Sequence, residues 1–196
     1  MATSSRPGRP RTTSRDEVQR VALALFAEQG FEETTLDDVA AAVGVSRRTL
    51  FRYYPSKNDM VWGDFDWVLL RLRDLLARTD PAAPLMEALA EAAVASNRYE
   101  PGDLPELRIR MTLITTVPSL QAHSMLRYAE WRDVVAEFAA QRLGTAPGDL
   151  VPQAIGHAAL GASMAAFEHW VTDPASNLED NLRRTYALLA SGFDGD

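Results

Sequence analysis

An all-α fold in two parts is predicted by three observations on the 196-residue chain. Apolar residues recur at helical spacing along most of the sequence, and no alternating strand pattern of useful length occurs. The helical stretches are separated by Gly30, Gly44, Pro55, Asp80-Pro81, Pro101-Gly102, Gly144 and Asp173-Pro174, residues that end helices or open turns. Residues 34–57, TTLDDVAAAVGVSRRTLFRYYPSK, place two short helices around a Gly-centred turn. That is a helix-turn-helix, whose outer face fits a DNA major groove. The expected organisation is a disordered basic arm over 1–13, a DNA-binding helix-turn-helix domain over 14–57, and a larger helical domain over 58–196.

The arm interleaves Arg6, Arg9, Arg11 and Arg15 with Pro7, Gly8 and Pro10, a composition that packs no core. Disorder in the free protein is compatible with entry of Arg6, Arg9 and Arg11 into a minor groove, where narrow A·T tracts attract arginine. The first helix begins near Ser14, carries Asp16 and Glu17 in its first turn, and ends at Gly30. Its buried stripe is expected at Val18, Val21, Ala22, Leu25 and Phe26, with Phe31 folding in after the turn.

The second helix keeps Leu36, Val39, Ala40 and Val43 on one arc, with Thr34 or Thr35 as its cap and Asp37 and Asp38 near its positive end. Gly44 supplies the left-handed turn and Ser46 caps a third helix reaching about Tyr54, where Pro55 stops it. At about 100° per residue, Leu50 and Tyr54 point inward while Arg48, Thr49 and Arg52 point away. Arginine can bond guanine O6 and N7 as a pair, and a threonine methyl can touch thymine.

A long helix is expected from Ser56 to Thr79, apolar at Val61, Phe65, Val68, Leu72 and Leu75. Further helices are expected at about 85–98, 104–115, 118–143, 151–172 and 177–192. The penultimate one is dense in Gly156, Ala159, Gly161, Ala162, Ala165 and Ala166. Small residues let helix axes approach closely, although each glycine costs about 1 kcal/mol against alanine. Such a stripe fits close packing within one chain or an interface between two.

Charge is divided unevenly. Residues 1–57 hold nine Lys/Arg and seven Asp/Glu, a net +2; residues 58–196 hold eleven and twenty, a net −9, which together make the −7 of the chain. A basic module on an acidic body suits a protein that touches DNA at one end. With no cysteine, disulfides, thiol nucleophiles and Cys-ligated zinc are excluded. No run of eighteen apolar residues occurs, and MATSSRPGRPRTTSR lacks the apolar stretch of a signal peptide. A cytoplasmic location, no membrane partner and no cofactor are therefore expected.

The stretches AEQGF (27–31), TTLDDVAAAVGVS and TLFRYYPSK resemble the TetR family of bacterial transcriptional regulators. The resemblance implies an N-terminal three-helix DNA-binding domain and a larger helical domain that binds ligand and dimerises. By position it assigns base readout to Arg47, Arg48, Thr49, Phe51 and Arg52. It assigns phosphate contacts to Thr34, Thr35, Tyr53 and Lys57. Phe51 stands where tyrosine is commoner, and Arg52 where an aromatic is. The resemblance also places the dimer interface on the last two helices, with Gly156, Leu160, Gly161 and Met164 as its candidates. A homodimer carries two recognition helices about a two-fold axis and so requires a near-palindromic operator.

The middle helices offer Trp62, Phe65, Trp67, Met86, Met111, Met125, Tyr128, Trp131 and Phe138, an adaptable apolar supply from which a pocket can be built. Trp62, Phe65, Met111, His123, Arg127, Tyr128 and Trp131 are the candidate pocket residues. Most aromatics at such spacing are plain core. Arg108, Arg110, His123 and Arg127 are the polar groups on these helices; Arg127 either pairs with a neighbouring acid on the surface or holds an anionic ligand head. RRTLFRYYPSKNDMVWGDFDW and LQAHSMLRYAEWRDVVAEF further resemble the actinobacterial TetR-type regulators that accompany mycofactocin biosynthesis. That resemblance implies control of a redox-peptide pathway with long-chain acyl-CoA as inducer. A ligand-independent DNA-binding repressor or activator is the alternative. A helical-bundle enzyme would have to act without the HExxH, Gly-rich phosphate loop or G-x-S-x-G motifs, all absent here.

Overall fold

The computed structural model describes residues 13–193, which contain ten α-helices and no strand. The arm residues Arg6, Arg9 and Arg11 lie outside the described residues. The chain divides after Val61 into two compact units.

The first unit holds α1 (Arg15–Gln29), α2 (Leu36–Val43), α3 (Arg47–Tyr53) and all but the last residue of α4 (Lys57–Trp62). Each start is built from the expected cap. Ser14 Oγ accepts from the Glu17 N–H at 3.1 Å, and Ser46 Oγ accepts from the Thr49 N–H at 3.2 Å. Thr35 and Asp38 form a reciprocal capping box on α2. Gly44 ends α2 at φ +77°, in the left-handed region that costs a glycine little. Val18, Ala22, Leu23, Phe26, Phe31, Val39, Leu50 and Tyr54 form the core, with Phe26 and Phe31 edge to face at 5.0 Å.

The buried stripe of α1 is rotated from the expected one. Gln19 and Leu23 are buried, while Val21 and Leu25 are only half-buried. The Gln19 side chain can be buried because its Nε2 donates to the Met60 carbonyl at 2.9 Å, replacing the water it loses.

The expected 56–79 helix is two helices. α4 stops at Trp62, Gly63 turns at φ +67°, and Asp64 restarts the chain as α5 (Phe65–Ala77) by accepting the Trp67 N–H at 3.2 Å. A left-handed glycine followed by a capping aspartate removes the backbone continuity that the apolar periodicity alone would have carried across. The second unit continues with α6 (Leu85–Ser96), α7 (Leu104–Thr116), α8 (Pro118–Leu143), α9 (Leu150–Thr172) and α10 (Leu178–Ala190). α9 lies between α8 and α10, and α6 packs on α5 and α10. Tyr186 is buried at the α9–α10 seam, hydrogen-bonded to Ser163 at 3.0 Å and to the Ala159 carbonyl at 3.2 Å. By length and composition α9 alone among the described helices could cross a membrane; here it is packed between α8 and α10.

Candidate functional site

The outward face of the helix pair is built by α3. Leu50 and Tyr54 anchor the helix in the core, which turns Arg47, Arg48, Phe51 and Arg52 outward as exposed residues and leaves Thr49 half-exposed. Arg47 lies 3.3 Å from Asp37 and above the Phe51 ring at 5.7 Å. The aromatic at position 51 thus supports a guanidinium by its face. Arg52 lies over Tyr53. Among the described residues no acid pairs with Arg48, so its fork is available to a base edge.

In the DNA-free structure the four residues expected on phosphates direct donors to partners inside the unit. Thr34 is buried; its hydroxyl donates to the Gly30 carbonyl at 2.7 Å and its N–H to the same carbonyl at 3.2 Å. The Thr35 hydroxyl and N–H donate to Asp38 at 2.6 and 2.8 Å, which holds that carboxyl below the usual carboxylate range. Tyr53 donates its hydroxyl to the Thr13 carbonyl at 2.6 Å. Lys57 Nζ reaches the carbonyls of Phe31, Glu32 and Thr34 and lies over the Phe31 ring. A phosphate offers only acceptors, so each of these groups would first have to leave an internal partner. For Thr34 and Lys57 the local reason is the 30–35 turn, whose Gly30, Phe31, Glu32 and Thr34 carbonyls accept from them.

The second unit holds a partly open cavity of about 130 Å³. Trp62, Phe65, Met111, Tyr128 and Trp131, five of the seven candidates, line it. His123 and Arg127 do not: Arg127 pairs with Glu130 at 3.3 Å and lies over the Phe65 ring, the surface alternative weighed from the sequence. The charged groups on the wall are Arg110 and Glu168. Arg110 follows Leu107 and precedes Met111 and Ile114 on one helical face, so its place among lining residues was readable from spacing. Burial pushes the phenols of Tyr99 and Tyr128 up, keeping both neutral.

The interface candidates separate in the structure. Leu160 and Met164 line the cavity, and a Cβ on Gly156 would stand 3.0 Å from the Arg132 carbonyl, so Gly156 serves packing against α8. Gly156 is buried and Leu160 and Met164 are half-buried, on the arc that α9 turns toward α8 and the cavity. Gly161 faces open space on the opposite arc, together with exposed Val151, Ala154 and Ala165.

Residues 20–61 match the family model for bacterial regulatory proteins of the tetR family, and residues 83–194 match that of the MftR C-terminal domain. The Mycobacterium tuberculosis protein named for regulation of mycofactocin biosynthesis, MftR, is 41% identical over 99% of this chain and 98% of its own. The transcriptional repressor KstR2 of the same organism is 35% identical over 42% of each chain. Among solved structures, Thermus thermophilus FadR in complex with lauroyl-CoA matches at TM-score 0.60 and 22% identity, covering 93% of this chain and 96% of that one. A regulator from Syntrophomonas wolfei matches at TM-score 0.68 and 15% identity, covering 92% and 95%. Regulators of this kind bind DNA operators, act as dimers and are not enzymes. With a helix-turn-helix in its first unit and an MftR-type second unit, this chain belongs to the TetR family of transcriptional regulators.

Proposed function

We propose that this protein is a ligand-responsive repressor of TetR type. Two copies bind a near-palindromic operator in the cytoplasm, and a small amphipathic molecule, with long-chain acyl-CoA as its class, releases them. The regulated process is mycofactocin biosynthesis, on the strength of full-length similarity to MftR. Base readout falls to Arg47, Arg48, Thr49, Phe51 and Arg52. The dimer forms on the open arc of α9 around Gly161 and on α10, where Leu188 is exposed.

The observation that carries ligand response is the apolar cavity whose wall includes Trp62, the last residue of α4. α4 begins at Lys57 in the DNA-binding unit, so it is a covalent route from ligand to DNA head. The cavity is comparable with an engineered cavity of roughly 150 Å³ that admits benzene. A long acyl chain is therefore fully buried only if the walls move, and Met111, Met164 and Phe167 are the adaptable ones. A ligand that needs an altered wall binds the altered state better, which is the condition for shifting an equilibrium. Moving occupancy from nearly full to nearly empty takes roughly 5.5 kcal/mol of differential affinity. At about 0.8 kcal/mol per buried methylene, some seven carbons suffice. The FadR relative of similar fold holds lauroyl-CoA.

Acyl-CoAs of increasing chain length, titrated into the protein–operator complex, test this reading. Release should strengthen stepwise with length, and absence of release at every length refutes it. Arg127→Ala should leave the half-releasing concentration nearly unchanged, since Arg127 does not line the cavity and pairs with Glu130; a rise of about tenfold would return the ligand head to Arg127.

A further inference from the structure

The polar groups on the cavity wall are unevenly satisfied. Ser96 Oγ and Asn97 Nδ2 donate to the Ala93 carbonyl at 2.9 and 2.8 Å, Thr115 Oγ1 donates to the Met111 carbonyl at 2.8 Å, and Ser163 is bonded to Tyr186. Among the residues lining this wall, two buried atoms have no protein acceptor: Trp62 Nε1 and Arg110 Nε. Both are N–H donors and both residues line the cavity. Trp62 is only 8% exposed. Its ring is held edge to face by Phe65 at 5.0 Å and Tyr128 at 5.7 Å, so it cannot easily swing its N–H elsewhere. Arg110 is half-buried, with Nη2 on Glu106 at 3.1 Å and its Nε buried. A buried donor without an acceptor is costly, and two on one wall are uncommon in a native interior.

We infer that these two donors form a subsite for a neutral hydrogen-bond acceptor, a carbonyl oxygen of ester, thioester, amide or ketone type, carried on an apolar ligand. The inference deepens the ligand-binding reading and rests on it. An acceptor is required because both orphaned atoms are donors. Neutrality follows from the local charges: Glu106 balances Arg110, and Glu168 adds a further negative charge to the wall. A carboxylate entering there would lose its water and meet that acid, while Arg71, a further cation acting on the wall residue Tyr99, is held by the Ala95 carbonyl and the Trp67 ring. A neutral carbonyl loses less and satisfies the same N–H groups. Trp62 and Arg110, not Arg127 or His123, are then the residues that select the ligand.

Three probes of matched length separate the possibilities: methyl octanoate, octanoate and nonane, each measured by displacement of a neutral naphthylamine dye from the full-length protein. Methyl octanoate should bind roughly tenfold more tightly than nonane, the effect of about 1.4 kcal/mol from one or two buried hydrogen bonds. Trp62→Phe keeps a ring and removes the N–H; it should erase most of that preference while nonane binding shifts little. Arg110→Met is the second variant and should act in the same direction, with thermal unfolding monitored for both. Tighter binding of octanoate than of its ester overturns the neutral subsite. Equal binding of ester and nonane, no binding of any probe, or an ester preference unchanged in both variants overturns the subsite altogether. Operator release is read separately. Ester binding that depends on Trp62 without any release from DNA would sink the regulatory reading and leave the subsite standing.

Discussion

Lys57 Nζ donates to the Thr34 carbonyl at 3.1 Å, tying the start of α4 to the turn before α2. The same ammonium reaches the Phe31 carbonyl and covers its ring, so one cation closes the turn that sets the angle of the helix pair. Lys57→Met should therefore destabilise the DNA-binding unit by about 1–3 kcal/mol, the usual range for hydrogen bonds to a charged group. Urea unfolding followed by helical signal measures it. A residue bound to phosphate would instead lower the salt slope of DNA binding by about one unit while sparing stability. The expected result is lost stability with an unchanged slope; the reverse pattern would restore Lys57 to the phosphate set.

Arg48 stands exposed on α3 with no acid against it among the described residues. Arg48→Ala should weaken binding to the specific operator by about 1–3 kcal/mol and binding to random DNA much less. Anisotropy titrations on both duplexes decide it. A matched loss on the two would remove Arg48 from base readout.

Two glycines five residues apart on α9 should respond oppositely to substitution. A side chain at Gly156 meets the Arg132 carbonyl, so Gly156→Leu should destabilise the folded chain by about 1–3 kcal/mol through overpacking. Gly161 faces open space, so Gly161→Leu should leave the secondary structure intact and push the dimer toward monomer. Sedimentation and thermal melts of both variants test this; a stable Gly161→Leu dimer would place the interface elsewhere.

Burial pushes the Tyr186 phenol up to about 12, opposed by its hydrogen bond with Ser163. Unfolding returns the phenol to an ordinary value near 10, so the unfolded chain releases the proton first as pH rises. The stability that Tyr186 contributes is complete below pH 10 or so and is lost between about 10 and 12, an effect on the order of 2–3 kcal/mol. Denaturation midpoints across that window should fall less steeply for Tyr186→Phe than for the unsubstituted chain. Parallel curves would mean that Tyr186 titrates normally.

Much of the first unit was legible because its signals are local. Ser14, Thr35 and Ser46 cap the helices that follow them, and Gly44 takes the turn conformation that its position required. Leu50 and Tyr54 are buried as the helical period demands. Gly63-Asp64 carried an equally local stop and start signal, but the apolar spacing from Val61 to Leu72 runs across it and masked the break. The rotated stripe of α1 depended on Met60, a residue 41 positions away whose carbonyl makes burial of Gln19 acceptable.

By itself the sequence determined the all-α class, the helix-turn-helix, the outward arginines of α3 and the family. Each of these rests on residues within a few turns of one another, where backbone geometry allows few arrangements. Tertiary structure alone decided which polar groups are already occupied and which remain open. Thr34 and Lys57 are used up on carbonyls brought close by the 30–35 turn, whereas Trp62 and Arg110, 48 positions apart, line one cavity with donors still to satisfy. It also sorted the small and apolar residues of α9 into an inner arc at Gly156, Leu160 and Met164 and an open arc at Gly161. A side chain's helical phase can be read from spacing, but which neighbour meets each arc is settled only by the packing of distant helices.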